Sequence, residues 1–204
     1  MFIELIDLLR CTRPHEDSWL VATFHEMRER DVIEGLLSCP VCGARYPVTE
    51  GVAWFDVAPD ARADAAHARD EDGIRVAAYL NLVEPGVVVL SGAWGSAAEL
   101  IAKLGSKVIA LNSAESPMDA RASRMRSDGI VPLARECLDG IALDSPASRL
   151  IQSAALALKI GARMVAPAVA PVPDGMVELA RDERYWVAVR EGGSASAPVQ
   201  IARR

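Results

Sequence analysis

The run Cys39-Pro40-Val41-Cys42-Gly43 constrains this chain more than any other stretch of it. Two thiols with two residues between them, Pro inside and Gly straight after, have the spacing of a zinc knuckle. Two thiolates must reach one tetrahedral ion at about 2.3 Å each, so the backbone between them has to turn tightly. Gly43 admits the positive φ that aims backbone N–H groups at the sulfurs.

A closed tetrahedral site needs four ligands. Cys11 and His15, with three residues between them, form a Cys-x3-His half to set against Cys39 and Cys42. His25 is the rival for the fourth position. A set of three thiolates and an imidazole favours zinc. The plain alternatives are a solvated loop histidine at His15, a small buried apolar residue at Cys11, or thiols buried without any metal. Cys137 lies outside any metal spacing and reads as a buried thiol.

The formal net charge of −6 excludes broad binding to phosphate backbones, which needs a positive field. A local basic patch remains open around Arg121, Arg124 and Arg126. No uninterrupted apolar stretch reaches the ~20 residues of a membrane span. Met1-Phe2-Ile3-Glu4-Leu5 lacks the basic start of a signal peptide. A cytoplasmic location is therefore expected, and in that reducing setting clustered cysteines are metal ligands rather than disulfides.

Residues 1–57 hold an apolar start through Leu8-Leu9, the Cys11 and His15 pair, Trp19-Leu20-Val21-Ala22, and the approach to the knuckle at 32–38. Ala44–Val48 and Gly51–Phe55 read as two short strands joined by a turn. A segment this small lacks a large core, and a metal would help to fix it. Residues 58–72 are Ala, Asp and Arg with almost no large apolar side chain, and read as an exposed linker or a solvated helix. Within it, His67 reads as exposed.

Beyond the linker the pattern changes. Ile74 to Val83 form a helical stripe stopped by Glu84-Pro85-Gly86. Val87-Val88-Val89-Leu90-Ser91 and Lys107-Val108-Ile109-Ala110-Leu111 are continuous apolar runs of the kind that form parallel strands buried on both faces. Residues 96–105 read as a helix with a Gly stop, and 117–127 as a helix with Pro117 in its first turn. Residues 130–134 and 138–143 read as strands with a very short connection. A helix over 147–159 is expected to stop at Gly161 before a strand over 162–167. Met176–Leu179 and Tyr185–Val189 read as a terminal antiparallel hairpin, and 192–204 as a flexible tail. Alternating strands and helices predict an α/β, doubly wound sheet.

Two resemblances follow from particular residues. Leu8-Leu9-Arg10-Cys11, then Glu34-Gly35-Leu36-Leu37-Ser38-Cys39-Pro40-Val41-Cys42-Gly43-Ala44-Arg45-Tyr46-Pro47-Val48 and Gly51-Val52-Ala53-Trp54-Phe55, resemble the zinc-binding activator subunit of tRNA and protein methyltransferases and its short bacterial relatives. The resemblance covers about the first quarter of the chain and departs from the pattern at His15, which stands where a second cysteine would be. It implies a structural zinc in a ribbon-like domain over 1–57 and docking onto a methyltransferase partner.

The second segment is similar to the class I S-adenosylmethionine-dependent methyltransferases. The strand order, the stretch Lys159-Ile160-Gly161-Ala162-Arg163-Met164-Val165 and the terminal hairpin carry this likeness, which implies a Rossmann-like domain over 73–191. The resemblance places the cofactor at Ser91, Gly92, Trp94, Gly95 and Asn112. Each of three positions breaks the pattern: Leu90 or Ser91 replaces an acid, Trp94 a glycine, and Asn112 the ribose-binding acid. The short link expected before residue 138 removes part of an adenine pocket, with Glu136 nearby. Ser91, Gly92 and Gly95 also fit a plain strand-to-helix turn, and Trp94 an exposed or interface aromatic. No His follows residue 72, so a Ser-His or Cys-His relay is not expected there, and no catalytic residue is assigned. The expectation is a zinc-binding scaffold or partner subunit, as a homodimer or with another protein, whose methyltransferase-like half does not take the cofactor. The alternative is an active methyltransferase with an atypical loop.

Overall fold

The computed structural model describes residues 1–57, 71–113 and 122–192. A 3-10 turn, Ile3–Leu8, precedes a sheet of eleven strands among these residues. In chain order they are β1 (Val21–Arg28), β2 (Asp31–Ser38), β3 (Arg45–Thr49), β4 (Val52–Phe55), β5 (Val87–Ser91), β6 (Lys107–Leu111), β7 (Ala122–Ser127), β8 (Leu138–Ala142), β9 (Leu158–Pro167), β10 (Met176–Arg181) and β11 (Tyr185–Arg190). The helices are α1 (Glu71–Leu80), α2 (Ala98–Lys103) and α3 (Ser148–Ala157).

The strands lie in the order β1-β2-β3-β4-β7-β6-β5-β8-β9-β11-β10. The pairs from β4/β7 to β8/β9 are parallel; β1 to β4 form an antiparallel meander on one flank, and on the other β11 lies antiparallel between β9 and β10. This is a mixed α/β sheet. The segment bearing the thiols is continuous with the rest of it, because Val52, Ala53, Trp54 and Phe55 of β4 run parallel to Arg124, Met125, Arg126 and Ser127 of β7.

Period-2 alternation sorts the central side chains onto two faces. Val88, Leu90 and Val108 join Val76, Leu80 and Ile101 of α1 and α2 in one apolar cluster. Val89, Ile109, Met125 and Ile141 join Leu150, Ile151 and Ala154 of α3 in the other. The second cluster also contains Leu9, Leu37, Tyr46 and Phe55, so residues before and after the linker share one core.

Three expectations are corrected. The helix expected over 117–127 is instead the strand β7 from Ala122, with residues 114–121 outside the described set. Ser123, Met125 and Ser127 point inward and the residues between them do not, a period of two that good helix formers such as Ala, Arg and Met conceal. Residues 130–134 make only an isolated bridge, Leu9 to Leu133, and are no strand of the sheet. The link from β7 to β8 therefore runs over 128–137 and is not short. Gly161 does not stop a helix, because α3 already ends at Ala157. It sits inside β9 at φ +82°, where the register against β8 slips between Leu138 and Gly140.

The linker residues 58–70, His67 among them, and the tail beyond Gly192 lie outside the described residues. Among those described, no helix is long and apolar enough to cross a membrane.

Candidate metal centre and the turn after β5

β2 delivers Cys39 to the knuckle, which closes on itself: Gly43 N–H donates to the Cys39 carbonyl at 3.0 Å, and Cys39 N–H to the Ala44 carbonyl at 2.9 Å. Gly43 has φ +72°, the left-handed turn anticipated for it. The second half comes from a loop pinched at its neck. Arg10 and Trp19 form a bridge, Cys11 N–H donates to the Ser18 carbonyl, and the Arg10 guanidinium lies over the Trp19 ring.

These two turns bring Cys11, His15, Cys39 and Cys42 together, with their ligand atoms all within 4.8 Å of one another. The Cys11 and Cys42 sulfurs are 3.7 Å apart, and the Cys39 sulfur is 3.4 Å from His15 Nε2. A tetrahedron with metal–sulfur bonds of about 2.3 Å has edges of about 3.8 Å between sulfurs and about 3.6 Å from sulfur to nitrogen. The donor set thus matches a four-coordinate zinc in kind, and these two edges match it in length. His25 lies on the exposed strand β1 and is not in the cluster. His15 Nδ1 sits 2.5 Å from the Glu16 carbonyl, and a proton held there leaves Nε2 as the lone pair facing the thiols.

The residues behind the ligands were less legible. The Tyr46 hydroxyl contacts Cys11 Sγ at 3.2 Å and Thr12 Oγ1 at 2.8 Å, and accepts from Thr12 N–H at 3.2 Å. Thr12 Oγ1 in turn donates to the Asp56 carboxylate, which Arg13 pairs at 2.8 Å. Burial, reinforced by Cys11, pushes the Tyr46 phenol up to about 12, so it stays protonated as a donor. Burial also raises the Cys11 thiol against the opposing bond from Tyr46. At Cys39 burial works against ionisation, but the Cys42 and Val41 backbone groups outweigh it and hold the thiol down to about 6. Cys137 lies outside the cluster, donates to the Ala134 carbonyl at 3.1 Å, and is pushed up to about 11 by burial.

Tyr46→Phe removes the hydroxyl that supports Cys11 and leaves the Thr12 N–H without its acceptor. Zinc affinity is expected to fall about 10- to 100-fold, as for other outer-shell partners. Competition titration against a chromophoric chelator measures it, and an unchanged affinity would make the Tyr46 contacts irrelevant to the metal.

The turn after β5 gathers the other residues picked out in the sequence, but their polar groups are engaged within the chain. Ser91 Oγ donates to Asp144 Oδ1 at 3.1 Å, and Ala93 N–H to Asp144 Oδ2 at 2.8 Å. Gly92 has φ +53°, and a Cβ there would fall on the Asp144 carboxylate. A Cβ at Gly95 would fall on the Ser113 side chain. Trp94 is neither exposed nor at an interface: it is 3% exposed, donates Nε1–H to the Leu143 carbonyl at 3.2 Å, and packs on Tyr185 at 5.0 Å. Asn112 spans to β7, donating Nδ2–H to the Ser127 carbonyl and accepting from Ser127 N–H, both at 2.9 Å.

Asp144 was missed; the only signal was an acid directly after an apolar run. Glu136 precedes β8 and pairs with Arg190 at 3.0 Å, so it lies at the opposite end of the parallel strands from this turn. A cleft of about 320 Å³ lies elsewhere, between α3 and the residues before β10, and is lined by Gln152, Leu156, Asp174 and Arg190 among others.

No protein-family model matches the chain, and no curated protein matches it. Solved structures similar to it include a geranyl diphosphate C-methyltransferase from Streptomyces coelicolor A3(2), at 18% identity over 47% of this chain and 42% of that one, TM-score 0.36. The 1,6-didemethyltoxoflavin-N1-methyltransferase of Burkholderia thailandensis is 14% identical over 60% of each chain, TM-score 0.37. The antibiotic-resistance methyltransferase Kmr is 11% identical over 65% of this chain and 98% of that one, TM-score 0.41. The chain spans less than half the length of the first of these. Likenesses of this strength decide nothing about activity, and the α/β assignment rests on the chain's own sheet order.

Proposed function

We propose that the chain is a metal-ordered α/β binding or scaffold module whose methyltransferase-like half has lost S-adenosylmethionine. The observation that carries this is the buried Trp94, tied to the Leu143 carbonyl and packed against the tilted Tyr185 ring, in the turn where a cofactor needs close backbone approach. Asp144 supports it by seating its carboxylate on Gly92 and taking the donors of Ser91 and Ala93. Asn112 supports it by spending both ends of its amide on Ser127.

Cys11, His15, Cys39 and Cys42 are the residues that would hold zinc. Bound by these four residues, zinc would serve to cross-link the two turns, and a full set of four protein ligands would leave no place for a substrate. What the chain's own residues do is structural: the Tyr46 hydroxyl, itself held by Thr12, supports Cys11, the Glu16 carbonyl orients His15, and Asp56 ties the loop to the end of β4. The pairing of β4 with β7 supports a docking of the metal-bearing segment in cis, where the activator-like resemblance implies a separate partner. The partner of the fused module is another protein or a second copy of this chain, in the cytoplasm.

Calorimetric titration of the zinc-loaded protein with S-adenosylmethionine and S-adenosylhomocysteine tests the reading. No heat and no thermal shift are expected at millimolar ligand. A ligand at 100 times its dissociation constant would stabilise the fold by about 2.7 kcal/mol, a shift of roughly 5–10 °C for a chain of this size. Saturable binding with that shift would install the alternative, a working methyltransferase with its metal-bearing segment fused in cis.

A further inference from the structure

We propose that Cys11 and Cys42 are an oxidation-sensitive pair whose joining releases the metal, which makes the centre a site of reversible thiol modification. The proposal rests on the metal-ordered reading above. The sulfurs of this pair are already in contact at 3.7 Å, although the residues stand 31 positions apart in the chain. Cys42 is exposed and Cys11 half-buried, whereas Cys39 is buried with its sulfur against His15 Nε2. Cys137 is outside the cluster and bonded to a backbone carbonyl. Contact and access coincide in one pair only among the four thiols. The knuckle tip is open to an approaching oxidant, since Val41 is 63% exposed and a Cβ built on Gly43 would meet nothing within 4 Å.

The oxidant class is a peroxide. The Cys42 thiolate attacks one oxygen of hydrogen peroxide, so an S–O bond forms, the O–O bond breaks and hydroxide leaves. The Cys11 thiolate then attacks the Cys42 sulfur, so the S–S bond forms, the S–O bond breaks and a second hydroxide leaves. Two thiolates lose two electrons, the peroxide gains them, and two protons from solvent complete two waters. Cys39 and His15 are then the only free ligands, too few for a closed tetrahedral site. The new bond joins the loop carrying Cys11 to the knuckle, so the oxidised chain keeps the two turns together after the metal has gone.

The test uses the full chain, with zinc uptake measured first. Hydrogen peroxide is then added in steps in the presence of a chromophoric zinc chelator, and the products are mapped by mass spectrometry without reduction. Loss of about one zinc per chain is expected, in step with a Cys11–Cys42 disulfide. Dithiothreitol and fresh zinc are expected to reverse both, and Cys137→Ser is expected to behave as the unaltered chain. A Cys39–Cys42 disulfide, irreversible oxidation of Cys42 without a disulfide, or zinc retained under millimolar peroxide each overturns the proposal. A chain that takes up no zinc at the outset overturns the metal-ordered reading as well, so the two failures are told apart.

Discussion

Zinc-free protein is expected to melt about 10 °C below the zinc-loaded form, and Cys39→Ser to melt there whether or not zinc is present. A metal present at about a thousand times its dissociation constant stabilises the folded state by about 4 kcal/mol. A chain of 150–250 residues shifts by roughly 2–4 °C per kcal/mol. Cys39 is the ligand to remove because it is buried, and its backbone closes the knuckle through Ala44 and Gly43. The loss does not stay local. The ligand loop is bonded through Thr12 to Tyr46 on β3 and to Asp56 beyond β4, and β4 is the strand that joins β7. Loosening the centre therefore loosens the seam between the two parts of the sheet. Acid acts in the same direction, because the thiols must shed protons to bind, so zinc is lost as the pH falls. Scanning calorimetry with and without a chelator measures the effect. A shift under about 2 °C would mean that Leu9, Tyr46 and Phe55 hold the segment without help.

How far the sequence could lead differs from element to element, for physical reasons. β5 and β6 were legible because strands buried on both faces must be apolar at every position, and Val87–Ser91 and Lys107–Leu111 nearly are. β7 was not, because Ala122–Ser127 contains no β-branched aliphatic residue and carries two arginines. Its strand form is imposed by β4 on one side and β6 on the other, a tertiary effect that propensity does not register. The Cys39 and Cys42 pair of the candidate site was legible from spacing alone, since short-range geometry fixes which thiols can share an ion. The choice between His15 and His25 was not, because it depends on the loop neck at Arg10 and Trp19 and on the run of β1 away from the centre. Asp144 was hidden for a related reason. It reaches Ser91 from 53 positions further along the chain, brought there only by the parallel pairing of β5 with β8.

Trp94→Ala is expected to destabilise the protein by about 3–5 kcal/mol, the usual cost of truncating a large aromatic in a core, and to lower the melting temperature by about 10 °C. The indole stands among Val76, Leu80, Leu90 and Ile101, so its removal leaves a cavity that α1, α2 and β5 cannot easily close. The Leu143 carbonyl loses the indole donor, and Tyr185 loses its ring partner. A surface tryptophan in the same turn would cost within about 0.5 kcal/mol, so the measurement separates the two placements cleanly. Trp94→Phe keeps most of the apolar volume and gives up the hydrogen bond, and is expected to cost only about 1–2 kcal/mol. The same physics governs any attempt to rebuild a cofactor site here. Trp94→Gly with Asn112→Asp removes a core side chain and also replaces an amide that both donates to and accepts from the Ser127 backbone. Failure of that variant to bind S-adenosylmethionine would then report a weakened sheet rather than a missing site. Denaturation of Trp94→Ala and Trp94→Phe side by side comes first: equal and small losses in both would place the indole outside the core and remove the observation on which the non-catalytic reading stands.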